Sequence, residues 1–433
     1  MSLVATLESP LPAALPAGTD TALFVYGACG VPVEVSVDGM RHAAAWVRGR
    51  FWATVPVSAH AGEVEIAAVS GDAVAPLARI EVQAPPRPPS LGRPAPDGLI
   101  AICMATFEPD MALFRTQVES LRAQTDERWV CVVSDDASAP EHLARIRDVL
   151  ADDPRFVLSR SPERLGFYRN FERALRLAPA EAELLALCDQ DDRWHPEKLA
   201  VLRKAIGAAG LVYSDQRLVD AGGRVLRDTL WRGRRNNHTD LTSMLVANTI
   251  TGAAMMLRRE VAELALPFPD TPGLPFHDAW LAVLALAAGD VAYVDRPLYD
   301  YVQHRGAFFG SVTHGARPRR RRPSPRGSYF RGYVPRAVLA EVLLVRCASR
   351  LTPAKRTALR RFVRAERSPA AFLRLAARPL RVLAGRTETL GSESGLLPGL
   401  VWRRLARILR LDASLPDLLS FEQPRLRRWR ARV

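Results

Sequence analysis

Three aspartates stand within four residues near the middle of the chain, at Asp189, Asp191 and Asp192. The apolar run LLALC before them is typical of a buried strand, and Pro196 stands where a helix could begin. Carboxylates placed together at a strand end repel one another, so their concentration is best explained by a hard divalent cation, Mg²⁺ or Mn²⁺. Such an ion could bridge two phosphates. The alternative, a solvated acidic turn, is weakened by the preceding strand and by the W-x-P-x-K-L that follows.

A further carboxylate, Asp278, stands at the start of the apolar run AWLAVLALAA. If this run is a helix, its dipole would help to keep the carboxylate ionised. The residues around Asp278 leave two interpretations of it open. The residue is either a base that takes a proton from an attacking hydroxyl or an N-cap, which is a common use of Asp.

Strand-like and helical segments alternate around these aspartates from Leu99 onward. The apolar runs LIAICMA and WVCVVSDD are each followed by a segment with apolar residues at helical spacing. This pattern predicts an α/β domain with a doubly wound, mostly parallel sheet and helices on both faces. Ligands bind such sheets at the carboxyl ends of strands, which is where the acidic clusters fall.

Length and composition narrow the class of protein. At 433 residues and 48% hydrophobic content, the chain can form two or three domains and is not mainly disordered. Its five cysteines lack the spacing of a zinc site and the density of a disulfide framework. The first residues do not resemble a secretory signal, and no run reaches the ~18 apolar residues of a membrane span. We therefore expect a cytoplasmic protein, peripheral on the inner face of the cell membrane.

The net charge of +14 is concentrated near the C-terminus. Residues 316–433 contain 29 Lys and Arg against 7 Asp and Glu, a net charge of +22, which leaves −8 for residues 1–315. The basic character therefore belongs to the tail rather than to the aspartates. We find no recognised nucleic-acid fold around these arginines, so we expect an anionic membrane surface as the partner of the tail rather than nucleic acid.

Five segments carry a family resemblance. In chain order they are MATFEPD (104–110), VVSDDAS (132–138), RLGFYRNFERAL (164–175), CDQDDRWHPEKL (188–199) and HDAWL (277–281). Together they resemble family-2 inverting glycosyltransferases with the GT-A fold, a doubly wound mixed sheet. Within that family they are most similar to bacterial rhamnosyltransferase-like enzymes of cell-surface glycans. The resemblance covers about half of the chain and does not extend to the first 96 residues or to most of the basic tail.

The resemblance implies roles for individual residues. Those expected to bind the nucleotide sugar are Thr106, Glu108, Asp135, Asp136, Asn170 and Asp189. Those expected to hold the metal are Asp191, Asp192 and His304. Those expected on the acceptor side or in the pocket are Gly252, Trp280 and Gln303, and Asp278 is expected to be the catalytic base. Which of Asp135 and Asp136 bonds the base stays open, as does the division of roles among the three clustered aspartates.

Two positions depart from the family pattern. Arg164 begins a motif that often starts with Asn in the family, and Ala307 stands where relatives commonly have Asn. The implied reaction is transfer of a sugar from a UDP- or dTDP-sugar, dTDP-rhamnose among the candidates, to a glycan or lipid-linked glycan acceptor, with Mg²⁺ or Mn²⁺. Two alternatives stay open: a sugar-phosphate nucleotidyltransferase, which should carry a Gly-rich phosphate loop where MATFEPD stands, and a non-catalytic glycan-binding or membrane-docking scaffold with a degenerate domain.

Four segments follow from these patterns. Residues 1–84 show period-2 alternation and predict an all-β module, most economically an immunoglobulin-like sandwich, which either binds sugar polymers or packs against the next domain. The Pro-rich residues 85–98 predict a linker. The GT-A domain is expected over 99–313 and an Arg-rich connector with a helical tail over 314–433, with helices near 334–350, 353–366, 369–384 and 398–411.

Overall fold

The computed structural model describes residues 3–60, 62–151, 153–231, 236–273, 276–304, 324–382 and 393–409. Its N-terminal part is a sandwich of two sheets, one ordered β1-β3-β7-β6 and the other β2-β9-β8-β4-β5. The strands are β1 (Ala5–Leu7), β2 (Ala14–Pro16), β3 (Asp20–Cys29), β4 (Glu34–Val37), β5 (Met40–Ala43), β6 (Ala45–Val47), β7 (Arg50–Ser58), β8 (Glu63–Ser70) and β9 (Ala73–Gln83). Apolar side chains from both sheets form one core between them, so the all-β sandwich prediction is confirmed.

Strand β3 is buried on both of its faces. Leu23 and Val25 point into the core of the sandwich, whereas Phe24 and Tyr26 belong to the core of the following domain. Trp52 of the neighbouring strand β7 joins the same outer face. Because successive side chains of a strand point to opposite faces, a strand buried on both sides needs a continuous apolar run, and ALFVY supplies it. The β module thus packs against the rest of the chain through β3 and β7.

Residues 84–98 lie along the α/β domain without forming a strand or helix. Pro89 O accepts a hydrogen bond from Ala180 N at 2.8 Å. Gly98 N donates to the Glu183 carboxylate at 3.0 Å. These contacts hold the segment against the domain that follows it.

The α/β domain is a mixed sheet flanked by helices. Its strands are β10 (Ile100–Thr106), β11 (Trp129–Asp135), β12 (Phe156–Arg160), β13 (Leu184–Cys188), β14 (Arg193–Trp194), β15 (Leu211–Asp220), β16 (Val225–Arg227), β17 (Met255–Arg258) and β18 (Val291–Gln303). Its helices are α1 (Met111–Arg122), α2 (Pro140–Leu150), α3 (Phe167–Arg176), α4 (Lys198–Ala205), α5 (Leu241–Val246), α6 (Arg259–Ala265) and α7 (His277–Ala288). A short 3₁₀ turn, Gly252–Ala254, precedes β17.

The strand order is β12-β11-β10-β13-β17-β15-β18-β14, with β16 paired to β15. The first four strands are parallel, whereas β17 runs antiparallel to both of its neighbours. The pair β15 and β18 is parallel as well, and the sheet is mixed because β17, β14 and the short β16 run antiparallel to their neighbours. Thr106 pairs with Asp135 and Met104 with Cys188, so the loops after β10, β11 and β13 leave the sheet side by side.

The first helix shows how the sequence sets these elements. Asp110 caps α1 by accepting hydrogen bonds from Ala112 N and Leu113 N. The apolar residues at helical spacing, Phe114 and Val118 among them, are buried against the sheet. On the same helix, Gln117 donates to Cys188 Sγ at 2.9 Å, which ties α1 to the strand that ends at the acidic cluster.

The C-terminal region packs helices on both other parts. They are α8 (Pro325–Ser328), α9 (Val334–Arg346), α10 (Pro353–Arg364), α11 (Pro369–Ala376) and α12 (Leu397–Ile408), with a π-helical turn at Tyr329–Tyr333. Arg346 joins the three parts, because its guanidinium donates to Ala265 O at 3.1 Å and to Thr21 Oγ1 at 3.0 Å. Among the described residues, no helix is long and apolar enough to cross a membrane. The connector around 305–323 and the basic end at 410–433 lie outside the described residues.

Candidate active site

The loops at the carboxyl ends of β10 and β13 are clamped together by Gln190. Its side-chain oxygen accepts from Phe107 N at 2.8 Å, and its amide donates to Phe107 O at 3.3 Å. Asp136 N donates to Thr106 O at 2.9 Å, which joins the loop after β11 to the same group. Three loops from neighbouring strands therefore form one edge of the site, as expected for this type of sheet.

The two aspartates after β11 are buried and hydrogen-bonded within this edge. Asp135 accepts from Ser138 N at 3.0 Å and from Ser138 Oγ at 2.5 Å. Asp136 accepts from Leu165 N at 2.6 Å and from Gly166 N at 2.9 Å. Asp135 thus stabilises the loop that follows β11, and Asp136 stabilises the segment that leads into α3. Which of them bonds a nucleoside base stays a prediction.

Asn170 lies beneath the loops on α3 and is 2% exposed. Its amide donates to Ser134 O at 2.9 Å and to Thr106 O at 3.2 Å, and its oxygen accepts from Ser134 Oγ at 2.7 Å. The buried Thr106 lies directly above it, whereas Glu108 is exposed and has a φ of 38°. Asn170 therefore ties α3 to the ends of β10 and β11, and Glu108 is the member of this group that solvent reaches.

Arg164 covers the same edge. Its guanidinium carbon lies 3.2 Å from the centroid of the Phe107 ring, and its Nε is 3.8 Å from Asp136. Burial lowers the pKa of Arg164, and the charges of Asp136 and Glu108 oppose that shift. The residue that departs from the family pattern is therefore a cation stacked on the loop after β10.

The clustered aspartates differ in exposure. Asp189 and Asp191 are half-buried, whereas Asp192 is 1% exposed. Val302 N donates to Asp192 Oδ1 at 3.1 Å, and Asp192 Oδ2 has no hydrogen-bond partner in the described part of the chain. Burial, then the charge of Asp191 and that of Asp278, raises the pKa of Asp189 to about 7. Burial likewise raises the pKa of Asp192 well above its usual range.

His304 meets Asp191, with 2.7 Å between His304 Nε2 and Asp191 Oδ2. This hydrogen bond raises the pKa of the imidazole. No three His, Cys, Asp or Glu side chains of the described residues form a group that could hold a metal ion, so Asp192 does not complete a set with this pair. An oxygen and an imidazole nitrogen beside an unpartnered carboxylate oxygen nevertheless fit a Mg²⁺ or Mn²⁺ that takes most of its ligands from phosphates and water.

Asp278 is the second residue of α7, and Phe276 is the N-cap. Asp278 is therefore not the N-cap of α7. Its carboxylate accepts from Ala279 N at 2.6 Å and is further bonded by the Gly252 N–H and the Asn248 side chain. Burial outweighs these donors and raises the pKa of Asp278 to about 6.

Tyr301 of β18 connects the two groups of carboxylates. Burial raises the pKa of its hydroxyl, and the negative charges of Asp192, Asp189, Asp191 and Asp278 raise it further, in that order. The Tyr301 hydroxyl therefore lies within electrostatic reach of both the cluster after β13 and the aspartate of α7. Sequence reasoning missed Tyr301, although its period-2 relation to Gln303 in YDYVQ was a signal for a shared strand face.

Lys198, in the first turn of α4, is a second residue that sequence reasoning missed. It is fully buried, its ammonium donates to Ala253 O, and it lies 3.5 Å from the Trp194 ring centroid. Burial lowers its pKa to about 7, while the charges of Asp192 and Asp189 oppose the shift. A cation beneath the acidic cluster offsets part of its repulsion. The only sequence signal was a Lys in helical register behind a Trp.

The three residues expected on the acceptor side or in the pocket lie in different places. A Cβ on Gly252 would come within 2.5 Å of His277 Nε2, so the backbone is closely approached there. Gln303 is 5% exposed, and its amide nitrogen has no partner in the described part of the chain. Trp280 is 2% exposed and donates from its indole to Ala265 O at 3.0 Å. Trp280 therefore faces the core behind α7 rather than the aspartates.

Comparison with known proteins places the central part of the chain. Residues 102–264 match the family model described as glycosyl transferase family 2. An uncharacterised protein, y4gI of Sinorhizobium fredii (strain NBRC 101917 / NGR234), is 29% identical over 129 residues, which are 29% of this chain. The matched segment spans only 14% of that relative's length.

Solved structures are similar at a lower level. S. aureus TarS 1-349 aligns at 14% identity and a TM-score of 0.44 over 72% of this chain and 83% of its own. The mannosyltransferase PcManGT from Pyrobaculum calidifontis, in complex with GDP-Man and Mn²⁺, aligns at 18% identity and a TM-score of 0.39 over 75% and 90%. Scores this low say nothing about site or substrate. The family match spans the strands and loops that carry the acidic cluster, so residues 102–264 form a glycosyl transferase family 2 domain.

Proposed function

We propose that the protein is an inverting glycosyltransferase that moves a sugar from a UDP- or dTDP-sugar, dTDP-rhamnose among the candidates, to a surface-glycan or lipid-linked glycan acceptor. The observation that supports this most is the electrostatic proximity of Asp278 to the aspartates after β13. The charge of Asp278 acts on Asp189, and Tyr301 senses both groups. A transferase that inverts the configuration of the anomeric carbon needs a base on one side of that carbon and, on the other side, groups that offset the negative charge of the leaving diphosphate.

Asp278 is the proposed base. The acceptor hydroxyl attacks the anomeric carbon and gives its proton to the Asp278 carboxylate, while the bond from that carbon to the nucleoside diphosphate breaks. With a pKa of about 6, the carboxylate is ionised at neutral pH yet more basic than an ordinary aspartate. The Gly252 N–H and the Asn248 side chain hold it in place, and the acceptor would enter beside Gly252 and Gln303.

The donor is proposed to bind along the edge formed by the loops after β10, β11 and β13. The residues proposed for nucleotide-sugar binding are Thr106, Glu108, Asp135, Asp136, Asn170 and Asp189. The hydrogen bonds that join Thr106 to Asp136 and to Asn170 support a preformed cradle, in which Asn170 positions the ends of β10 and β11. Asp189, at the end of β13, is placed to touch ribose or the donor sugar.

Asp191 and His304 are the proposed residues for Mg²⁺ or Mn²⁺, with Asp192 behind them. A bound ion would offset the charge of the leaving diphosphate. The residues themselves contribute a half-buried carboxylate oxygen and an imidazole nitrogen 2.7 Å apart beside the acidic cluster. Lys198 limits the repulsion among the aspartates from below.

We further propose that the protein works at the inner face of the cell membrane, held there by its basic C-terminal region. The net charge of +22 over residues 316–433 supports this, since anionic lipid attracts each basic residue near its surface by about 1 kcal/mol. A lipid-linked acceptor would then be presented to the site within the same plane.

A panel of nucleotide sugars, with and without Mn²⁺, tests the proposal. Donor binding should raise the midpoint of thermal unfolding for one donor and should depend on the ion. Asp191→Ala should weaken the ion-dependent part, whereas Asp148→Asn, an exposed carboxylate on α2, should not change it. Pyrophosphate release from a nucleoside triphosphate and a sugar phosphate would instead show a nucleotidyltransferase. No stabilisation and no hydrolysis with any donor would show a non-catalytic scaffold.

A further inference from the structure

Helix α12 is apolar on two opposite faces. Gly399, Leu400 and Ala406 are buried against the body of the protein. On the other side, a helix at the surface would ordinarily carry polar residues. Here Leu405 and Ile408 are exposed instead, at 49% and 74%.

The buried face is firmly held. A Cβ on Gly399 would lie 2.4 Å from Tyr329 N, so the backbones of α12 and the π-helical turn are in contact. Arg403 donates to Glu366 at 3.0 Å, and its guanidinium lies 5.4 Å from the centroid of the Trp52 ring. Helix α12 therefore cannot turn its exposed side chains inward without losing these contacts with the π-helical turn, with Glu366 after α10 and with the β module.

The exposed apolar side chains form a stripe. Val401, Leu405, Ile408 and Leu409 are 41%, 49%, 74% and 61% exposed. At 3.6 residues per turn, these positions fall within an arc of about 100° on the helix surface. Leu373 of α11 is 64% exposed and adjoins Phe372, on whose ring the Arg404 guanidinium lies at 5.2 Å. Arg404 thus links α12 to α11, which carries a further exposed apolar side chain.

Arginines border this stripe on one side of α12. Arg404 and Arg407 follow it along α12, and Arg407 is exposed. Exposed arginines also stand on the neighbouring helices and the turns between them, at Arg360, Arg361, Arg364, Arg367 and Arg374. An apolar stripe flanked by arginines is complementary to the acyl and phosphate layers of an anionic lipid surface, where an amphipathic helix lies in the plane of the interface.

We propose that the exposed face of α12, formed by Val401, Leu405, Ile408 and Leu409, inserts into the interface of an anionic bilayer, with the flanking arginines on lipid phosphates. The inference rests on the proposed membrane association and assigns the contact to one helix. It is independent of the transfer reaction. Because α12 packs on α8 and the π-helical turn and contacts Trp52 of the β module through Arg403, insertion would also orient the whole protein on the membrane.

Sedimentation of the full chain with vesicles of phosphatidylcholine and phosphatidylglycerol in equal parts tests the inference. The double variant Leu405→Gln with Ile408→Gln should bind the vesicles at least about tenfold more weakly than the wild type, because two large apolar side chains no longer enter the interface. The matched control, Met40→Gln with Val74→Gln, replaces exposed apolar residues of the β module and should bind like the wild type. Wild type that ignores these vesicles at low salt would overturn the membrane association. Wild-type binding by the α12 variant would overturn only the assignment to α12.

A fluorescent label gives a second readout. All five cysteines are buried, so Ile408→Cys supplies one exposed thiol for an environment-sensitive dye. The label should shift to the blue when the protein binds vesicles, whereas a label at Met40→Cys should not. An unshifted label at 408 on bound protein would overturn the inference. A second outcome would also overturn the inference: the wild type forms a dimer in sedimentation equilibrium, and the double variant loses the dimer but still binds vesicles. A second copy of the chain would then cover this face of α12.

Discussion

The charge of Asp278, at the start of α7, raises the pKa of Asp189, at the end of β13. The two residues are 89 positions apart in the sequence, yet their carboxylates lie within electrostatic reach of each other. Asp278 is held by backbone N–H groups and by the Asn248 side chain, whereas burial and neighbouring charges determine the pKa of Asp189. Two neighbouring carboxylates that are stabilised differently are suited to different roles in one reaction.

The first prediction separates those roles. Asp278→Asn should lower kcat by roughly 10²–10⁴-fold, because the amide cannot accept the acceptor proton. Donor binding should change little, since the donor is proposed to bind along the edge formed by the loops after β10, β11 and β13. Steady-state kinetics and donor titration by calorimetry measure the two effects. Loss of donor binding equal to that in Asp191→Ala would mean that Asp278 is part of the donor site and not the base.

The second prediction concerns pH. The pKa of Asp278 is raised to about 6, and only its ionised form can act as a base. We expect kcat/KM to fall about tenfold per pH unit below pH 6 and to level off above it. A profile over roughly pH 5 to 8 with a saturating ion measures this. An acid limb centred near the ordinary aspartate value of about 4 would contradict the assignment.

Sequence patterns were sufficient for the elements that carry the site. Apolar runs predicted β10, β11 and β13, and the position of the acidic clusters at the carboxyl ends of these strands predicted that their loops form one site. The direction of β17 could not be predicted in this way. MMLR is a four-residue strand whose antiparallel pairing with both neighbours is set by the chain path around it.

Local sequence patterns also could not predict that strand β3 is buried on both faces. Phe24 and Tyr26 read as half of an alternating strand, but their burial depends on α9 and the α/β core, which lie far along the chain. Lys198 is similar, because only the meeting of Trp194 and Tyr299 encloses its ammonium. Tertiary packing decides such positions, and periodicity within one segment does not report it.

The third prediction tests the close approach at Gly252. Gly252→Ala would place a Cβ 2.5 Å from His277 Nε2 and would displace the N–H that bonds Asp278. We expect activity to fall by about tenfold or more, with a smaller loss of stability. Gly289→Ala, at the other end of α7 with open space around the new methyl group, should be close to wild type. Partial recovery of activity in Gly252→Ala with His277→Ala would support a steric cause, and no recovery would argue against it.

The fourth prediction concerns stability. His277 is buried and stacked on Phe171 at 3.8 Å, and burial lowers its pKa from 6.5 to about 3. Below pH 6.5 the unfolded chain takes up a proton that the folded state does not. Wild type therefore loses up to about 1.4 kcal/mol per pH unit from this group. His277→Phe should remove that slope and keep the stacking.

Urea unfolding of wild type and His277→Phe at several pH values measures the effect. The difference in unfolding free energy should change in favour of the variant as pH falls from 6.5 toward 4. Subtracting the two curves cancels the contributions of the aspartates with raised pKa values, which act in the opposite direction. His60→Gln replaces an exposed imidazole and is the control. Parallel curves for wild type and His277→Phe would show that His277 is not buried in its neutral form.

The fifth prediction concerns the packing of α12 against the π-helical turn. Gly399→Ala would bring a Cβ to 2.4 Å from Tyr329 N and 2.7 Å from the Ser328 carbonyl carbon, and backbone atoms cannot move aside as a flexible side chain could. Helix α12 should shift and weaken the Arg403–Glu366 pair, at a cost of about 1–3 kcal/mol. Gly395→Ala, whose methyl group would meet open space, should melt like the wild type. Because α12 is also the proposed membrane contact, the Gly399 variant should bind anionic vesicles more weakly. Unchanged melting and binding would mean that α12 is not seated against the π-helical turn.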